Sequence, residues 1–113
     1  MHEIGIAQDL SAIIIETAEN ENLSKVTRVN VTLGKLVQIV PEIFEFAFRE
    51  AVRDSIADDA ELSIEVVPVI IKCRSCEKYL QVEDGMFYCN LCGSTDVNVI
   101  QGKELFINSI EGE

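Results

Sequence analysis

Near the start of the chain, apolar residues recur at helical spacing. Ile4, Ala7, Leu10, Ile14 and Ala18 fall on one stripe, with Ile6 and Ile13 beside it. Asp9, Glu16, Glu19 and Glu21 take the other side, so 4–18 predicts an amphipathic helix that Asn20-Glu21-Asn22 ends. The period then shortens. Val29, Val31 and Leu33 alternate with Arg28, Asn30 and Thr32, the pattern of a half-buried strand, and Gly34 stops it. Pro41 suits a first helical position, where its missing N–H costs nothing. Ile43, Phe44, Ala47, Phe48, Ala51 and Val52 follow on one face, so 41–54 predicts a second helix. Asp58-Asp59 reads as a turn, and Leu62, Ile64 and Val66 alternate as a second strand ending near Pro68.

Residues 73–92 break this pattern, with few large aliphatics and too little to bury a core without metal. Beyond them, 104–110 (Glu-Leu-Phe-Ile-Asn-Ser-Ile) predicts a third strand, too apolar to belong to so small a module. Two strands alone make a marginal sheet, so this one is expected to return and pair with the first two. The predicted class is α+β: a small sheet of about three strands with two helices, and a zinc-ribbon domain inserted before the last strand. The corresponding domains are 1–71 plus 103–113 for the α/β part and 72–102 for the cysteine module.

Cys73-Arg74-Ser75-Cys76 and Cys89-Asn90-Leu91-Cys92 form a C-x2-C…C-x2-C array. Two residues between cysteines let a tight turn aim both sulfurs at one point, and two facing turns complete a tetrahedron that suits zinc. Gly93 fits the positive φ such a turn needs. An iron tetrathiolate, as in rubredoxin, uses nearly the same ligands and leaves an electron carrier as an alternative reading. A thioredoxin-like dithiol would use one active pair, not two matched ones. With every position filled by cysteine, a zinc here has no open site for water and is structural.

The chain has 113 residues and a formal charge of −11. That field repels phosphate backbones, which disfavours nucleic acid and a transcriptional zinc-ribbon adaptor, and points to a cation or a protein with a basic surface. No apolar run approaches a membrane span, and Met1-His2-Glu3 opens without a secretion-type leader, so a cytoplasmic protein with no membrane partner is expected. No nucleotide-binding loop or recognisable nucleophile motif occurs, and Asp58-Asp59 and Glu83-Asp84 read as solvated loop charges, so no enzyme activity is expected.

His2 is the one histidine. A lone terminal histidine is ordinarily a solvated end. Here, however, the α-amine, the His2 amide and the imidazole can form fused chelate rings, with Glu3 closing the coordination, and nitrogen-rich square-planar sites favour Ni(II) or Cu(II). The chain resembles the HypA/HybF nickel metallochaperones of hydrogenase maturation over essentially its full length. The likeness rests on Met1-His2-Glu3, the run Val31-Thr32-Leu33-Gly34-Lys35-Leu36, the run Pro41-Glu42-Ile43-Phe44-Glu45-Phe46-Ala47-Phe48, both cysteine pairs with Cys92-Gly93-Ser94, then Gly102-Lys103-Glu104-Leu105 and Ile110-Glu111. It implies Ni(II) as transferred cargo at Met1, His2 and Glu3 of a nickel-binding domain. It also implies structural Zn(II) on Cys73, Cys76, Cys89 and Cys92, and delivery to the [NiFe] hydrogenase large subunit precursor together with the HypB GTPase. Asn90 stands where many relatives have proline, and no histidine adjoins the cysteines.

Overall fold

The structure, a computed structural model, describes residues 3–83 and 85–113. Helix α1 (Glu3–Asn20) buries the stripe Ala7, Leu10, Ile14 and Ala18 together with Ser11. The Ser11 hydroxyl donates to the Ala7 carbonyl at 2.6 Å, so its burial leaves no polar atom stranded. Asn22 takes a left-handed conformation, φ 61°, just past the helix. Leu23 N–H donates to Ala18 O at 2.9 Å and Asn22 N–H to Glu19 O at 3.1 Å, the paired bonds of a Schellman stop. Asparagine can occupy that position because its short polar side chain tolerates positive φ.

Strand β1 (Val26–Gly34) follows, then a 3-10 turn (Lys35–Val37) closed by Gln38 at φ 59°. Helix α2 (Pro41–Ala51) has Pro41 in its first turn, as the sequence predicts. It ends three residues before the expected 54. Arg53 and Asp54 are exposed, so no apolar stripe holds the helix together past buried Val52, and Asp54 reverses the chain at φ 63°. The turns beyond α2 are tied down by Arg49. Its guanidinium lies over the Phe48 ring, 5.4 Å from the centroid, and donates to the carbonyls of Asp58 and Ala60.

The remaining strands are β2 (Glu61–Val67), β3 (Val69–Cys73), β4 (Tyr79–Val82), β5 (Val97–Gln101) and β6 (Leu105–Gly112). One sheet has the order β2-β1-β6, so the C-terminal strand does return to pair with the first. Glu113 N–H donates to Lys25 O at one end and Gly34 N–H to Glu104 O at the other, which makes β1 and β6 antiparallel. The second sheet, β4-β3-β5, is antiparallel throughout, with Ile71 opposite both Leu80 and Val99.

The chain divides into two compact units. The first holds the described residues up to Val31 with Ile39–Glu65 and Phe106–Glu113. Helices α1 and α2 pack on each other there, and Ile14, Val26, Val29, Phe44, Phe48 and Val52 are its largest fully buried side chains. The second holds Thr32–Gln38 and Val66–Leu105. Its small core is Val69, Ile71 and Val82, with Leu36, Leu80, Val97 and Val99 against them. Residues 73–92 are expected to bury no core of their own without metal, and they supply only Leu80 and Val82 here. The rest comes from flanking strands and a distant turn, each too brief to show a period.

Position 34 is a glycine for a steric reason. A Cβ built on it would lie 2.2 Å from the carbonyl carbon of Gly102 and 2.8 Å from Glu104 N. Leu36 N–H donates to Gly102 O at 2.8 Å across the same approach, so two backbones meet where no side chain fits.

Candidate metal centre

Each cysteine pair sits in a backbone turn, and the two turns are built alike. In the first, Glu77 N–H donates to Cys73 O at 2.8 Å and Cys73 N–H to Lys78 O at 2.9 Å. In the second, Gly93 N–H donates to Cys89 O at 2.7 Å and Cys89 N–H to Ser94 O at 2.8 Å. The residue after each pair carries positive φ: 79° at Gly93, as its sequence position suggests, and 61° at Glu77, which nothing in the sequence marks. A hydroxyl contact of 3.0 Å between Ser75 and Ser94 and a 2.9 Å bond from Arg74 N–H to Asp96 O join the two turns.

These turns bring all four sulfurs within 4.8 Å of one another. Contacts run crosswise between the pairs, Cys73 to Cys92 and Cys76 to Cys89, each at 3.6 Å. That is far beyond a disulfide bond and close to the roughly 3.8 Å edge of a tetrahedron with metal–sulfur bonds of about 2.3 Å. Cys73 and Cys89 are buried, Cys76 half-buried and Cys92 exposed. The Cys76 N–H lies 3.5 Å from Cys73 Sγ, the kind of amide donor that stabilises a thiolate.

The electrostatics test whether a cation belongs there. The Cys76 amide, with that of Ser75 and against desolvation, holds the Cys73 thiol down to about 6. Desolvation opposes ionisation of Cys89, but the amides of Cys92 and Leu91 outweigh it and lower that thiol too. The Ser94 amide favours the Cys92 thiolate, yet the neighbouring Cys89 and Cys73 sulfurs push that thiol up to about 12. Cys76 is likewise raised: the Lys78 amide lowers it, while desolvation and the Cys89 and Cys73 sulfurs prevail. Four sulfurs this close cannot all carry charge unaided, and a bound dication would remove that conflict. The four-cysteine set fits a tetrahedral, thiophilic ion with no coordination position left for water.

Of the residues expected to bind nickel, Met1 and His2 lie outside the described residues. Glu3 opens α1, and its Oε2 accepts a hydrogen bond from Val40 N–H at 3.3 Å. Val40 is the residue that caps α2 and has no side-chain cap of its own. The contact pairs a carboxylate with the positive end of a helix. Sequence reasoning missed it because it depends on where residue 40 returns in space.

Two helices, two small three-stranded sheets and a four-cysteine cluster define a small α+β protein with a zinc-ribbon-type metal module. A family model described as hydrogenase/urease nickel incorporation, metallochaperone, hypA matches residues 1–112. The hydrogenase maturation factor HypA of Trichodesmium erythraeum is 36% identical over 113 residues, covering 100% of this chain and 96% of that one. That of Moorella thermoacetica is 34% identical over 113 residues, covering 100% of both. The solution structure of the Ni metallochaperone HypA from Helicobacter pylori superposes with a TM-score of 0.71 at 28% identity, over 99% of this chain and 97% of that one. The chain belongs to the HypA family of nickel-incorporation metallochaperones, which are hydrogenase maturation factors.

Proposed function

We propose that this protein binds Ni(II) through the Met1 amine, the His2 imidazole and the adjoining amides up to Glu3, and delivers it to the precursor of a [NiFe] hydrogenase large subunit. Delivery proceeds with the HypB GTPase in the cytoplasm, and the chain itself catalyses no reaction. Cys73, Cys76, Cys89 and Cys92 hold Zn(II), which fixes the fold of the two turns and takes no part in transfer. The observation that carries this reading is the family match across residues 1–112, which includes the Met1-His2-Glu3 start. The closed four-sulfur set supports the division of labour between a permanent ion and an exchangeable one. No helix among the described residues is long and apolar enough to cross a membrane.

The test is metal analysis followed by nickel titration of untagged protein. Colourless protein with one zinc is expected, whereas a red protein with visible charge-transfer absorption would support an iron electron carrier instead. His2→Ala is expected to abolish specific nickel binding while leaving zinc content and circular dichroism unchanged. A Gly-Ser extension before Met1 is expected to do the same, because it converts the α-amine into a peptide amide, a much poorer donor. Unchanged nickel affinity in both variants would refute the terminal chelate.

A further inference from the structure

Helices α1 and α2 pack side by side, yet they leave several large apolar side chains outside the core. Ile4 is 54% exposed, Ile43 49% and Phe46 67%. With Ala47 and Ala51 they line a groove of about 430 Å³ whose polar members are Gln8 and Glu50. Small residues between large ones give a helix-pair surface depth, the shape that accepts side chains from an amphipathic helix at one-turn spacing. An apolar strip of this kind in water marks an interaction site more often than chance exposure does.

The charge of the two helices is mostly acidic, with Arg53 the cation paired to groove-lining Glu50. α1 carries Glu3, Asp9, Glu16 and Glu19 with no lysine or arginine. α2 carries Glu42, Glu45 and Glu50, and its only cation, Arg49, is engaged with the Asp58 and Ala60 carbonyls. Glu50 pairs with Arg53, while Glu42 and Glu45 have no ion-pair partner among the described residues. A second copy of this chain would bring the same acidic faces together on molecules of charge −11, and anionic lipid headgroups would be repelled likewise. The complementary occupant is cationic and apolar at once.

We propose that the α1–α2 groove is the docking site for a basic amphipathic helix of a partner protein, seated on Ile4, Ile43 and Phe46 with its lysines or arginines facing Glu42 and Glu45. Ile4 lies two residues along the chain from His2. A partner held there is delivered next to the segment that carries the cargo, a link that rests on the nickel reading above, whereas the docking itself does not. The acidic rim steers the encounter and the apolar groove sets the residence time.

The experiment titrates isotope-labelled, zinc-loaded full-length protein with a synthetic Leu/Lys amphipathic helix of about four turns and with its Leu/Glu counterpart. Amide shifts are expected at Ile4, Ile43, Phe46, Ala47 and Ala51 for the lysine peptide alone. Phe46→Ser is expected to weaken binding about tenfold or more, as loss of an aromatic anchor does. Glu42→Lys with Glu45→Lys is expected to weaken it similarly and to flatten its salt dependence. Phe46 is mostly exposed, so zinc content and fold should survive its replacement. Shifts centred instead on the exposed Tyr88 and Leu91 of the metal module, equal binding of the glutamate peptide, or indifference to Phe46→Ser would overturn the proposal. So would a dimer in sedimentation, or binding to neutral phosphatidylcholine vesicles, that Phe46→Ser abolishes, since each assigns the groove to another occupant. Nickel titration of Phe46→Ser protein is expected to match wild type. Absence of nickel binding in both would sink the cargo reading and leave the docking result intact.

Discussion

Glu3 is one residue asked to serve two purposes. The nickel reading places it beside His2 as a donor, while its carboxylate already accepts from the Val40 amide at the start of α2. A side chain held this way tethers the start of α1 to that of α2, and the nickel reading then draws on the Glu3 backbone amide. The two roles separate experimentally. Glu3→Gln keeps an acceptor for Val40 and loses the charge, and nickel affinity within about threefold of wild type is expected. Glu3→Ala loses the tether as well and is expected to weaken nickel binding several-fold and to cost about 0.5 kcal/mol of stability, the scale of one exposed charge at a helix end. Calorimetric nickel titration and urea unfolding measure both. Equal, large losses of nickel in the two variants would instead make the carboxylate a ligand. The residues concerned were legible in the sequence as Met-His-Glu, but the tether was not, because residues 3 and 40 are neighbours only after folding.

At the scale of elements, the two cysteine turns share one hydrogen-bond plan but not one sequence. Gly93 takes its positive φ without strain, and a Cβ there would meet nothing within 4 Å. Glu77 holds the equivalent position at φ 61° and bears the steric cost of a side chain in the left-handed region. Glu77→Gly is therefore expected to stabilise the zinc-loaded module by about 0.5–1 kcal/mol, and Gly93→Ala to destabilise it by about 1 kcal/mol. Thermal unfolding at fixed zinc reports both. The cysteine spacing and Gly93 were readable because a knuckle needs those residues at those places. Strands β3, β4 and β5 were not, since five or fewer residues each carry too little periodicity, and Leu36 joins their core from 33 positions before Val69. The two helices and the first two strands were readable for the opposite reason: each repeats its period long enough to fix a face.

For the whole molecule, the division into two units predicts a divided response to metal loss. Chelation, or Cys92→Ala, is expected to remove hydrogen-exchange protection from residues 73–76 and 89–93 while α1 and α2 keep theirs. The small apolar cluster around Ile71 is expected to leave β3 partly protected, a narrower loss than disorder of the entire cysteine region. Acid should act in the same direction. Protons compete with the metal for every thiolate, and the most acidic, Cys73, joins that competition as pH falls through about 6, so retention of zinc should drop most steeply below that value. Zinc release followed by a colorimetric chelator across pH 4–8 checks the sign. Collapse of α1 and α2 together with the turns would contradict the division.

The order β2-β1-β6 also has a consequence in time. A ribosome makes β1 and β2 before the metal module and β6 after it. Until β6 emerges, the first sheet is a strand pair of marginal stability, and long-range closure of that kind is slow. The four-cysteine turns, by contrast, use no residue of β6, so their metal can bind before the first sheet is closed. A released chain truncated after Lys103 should then take up its metal yet expose its first unit to protease. Filling of the four-cysteine module and closure of the first sheet would thereby be separate events, the second waiting on the return of β6.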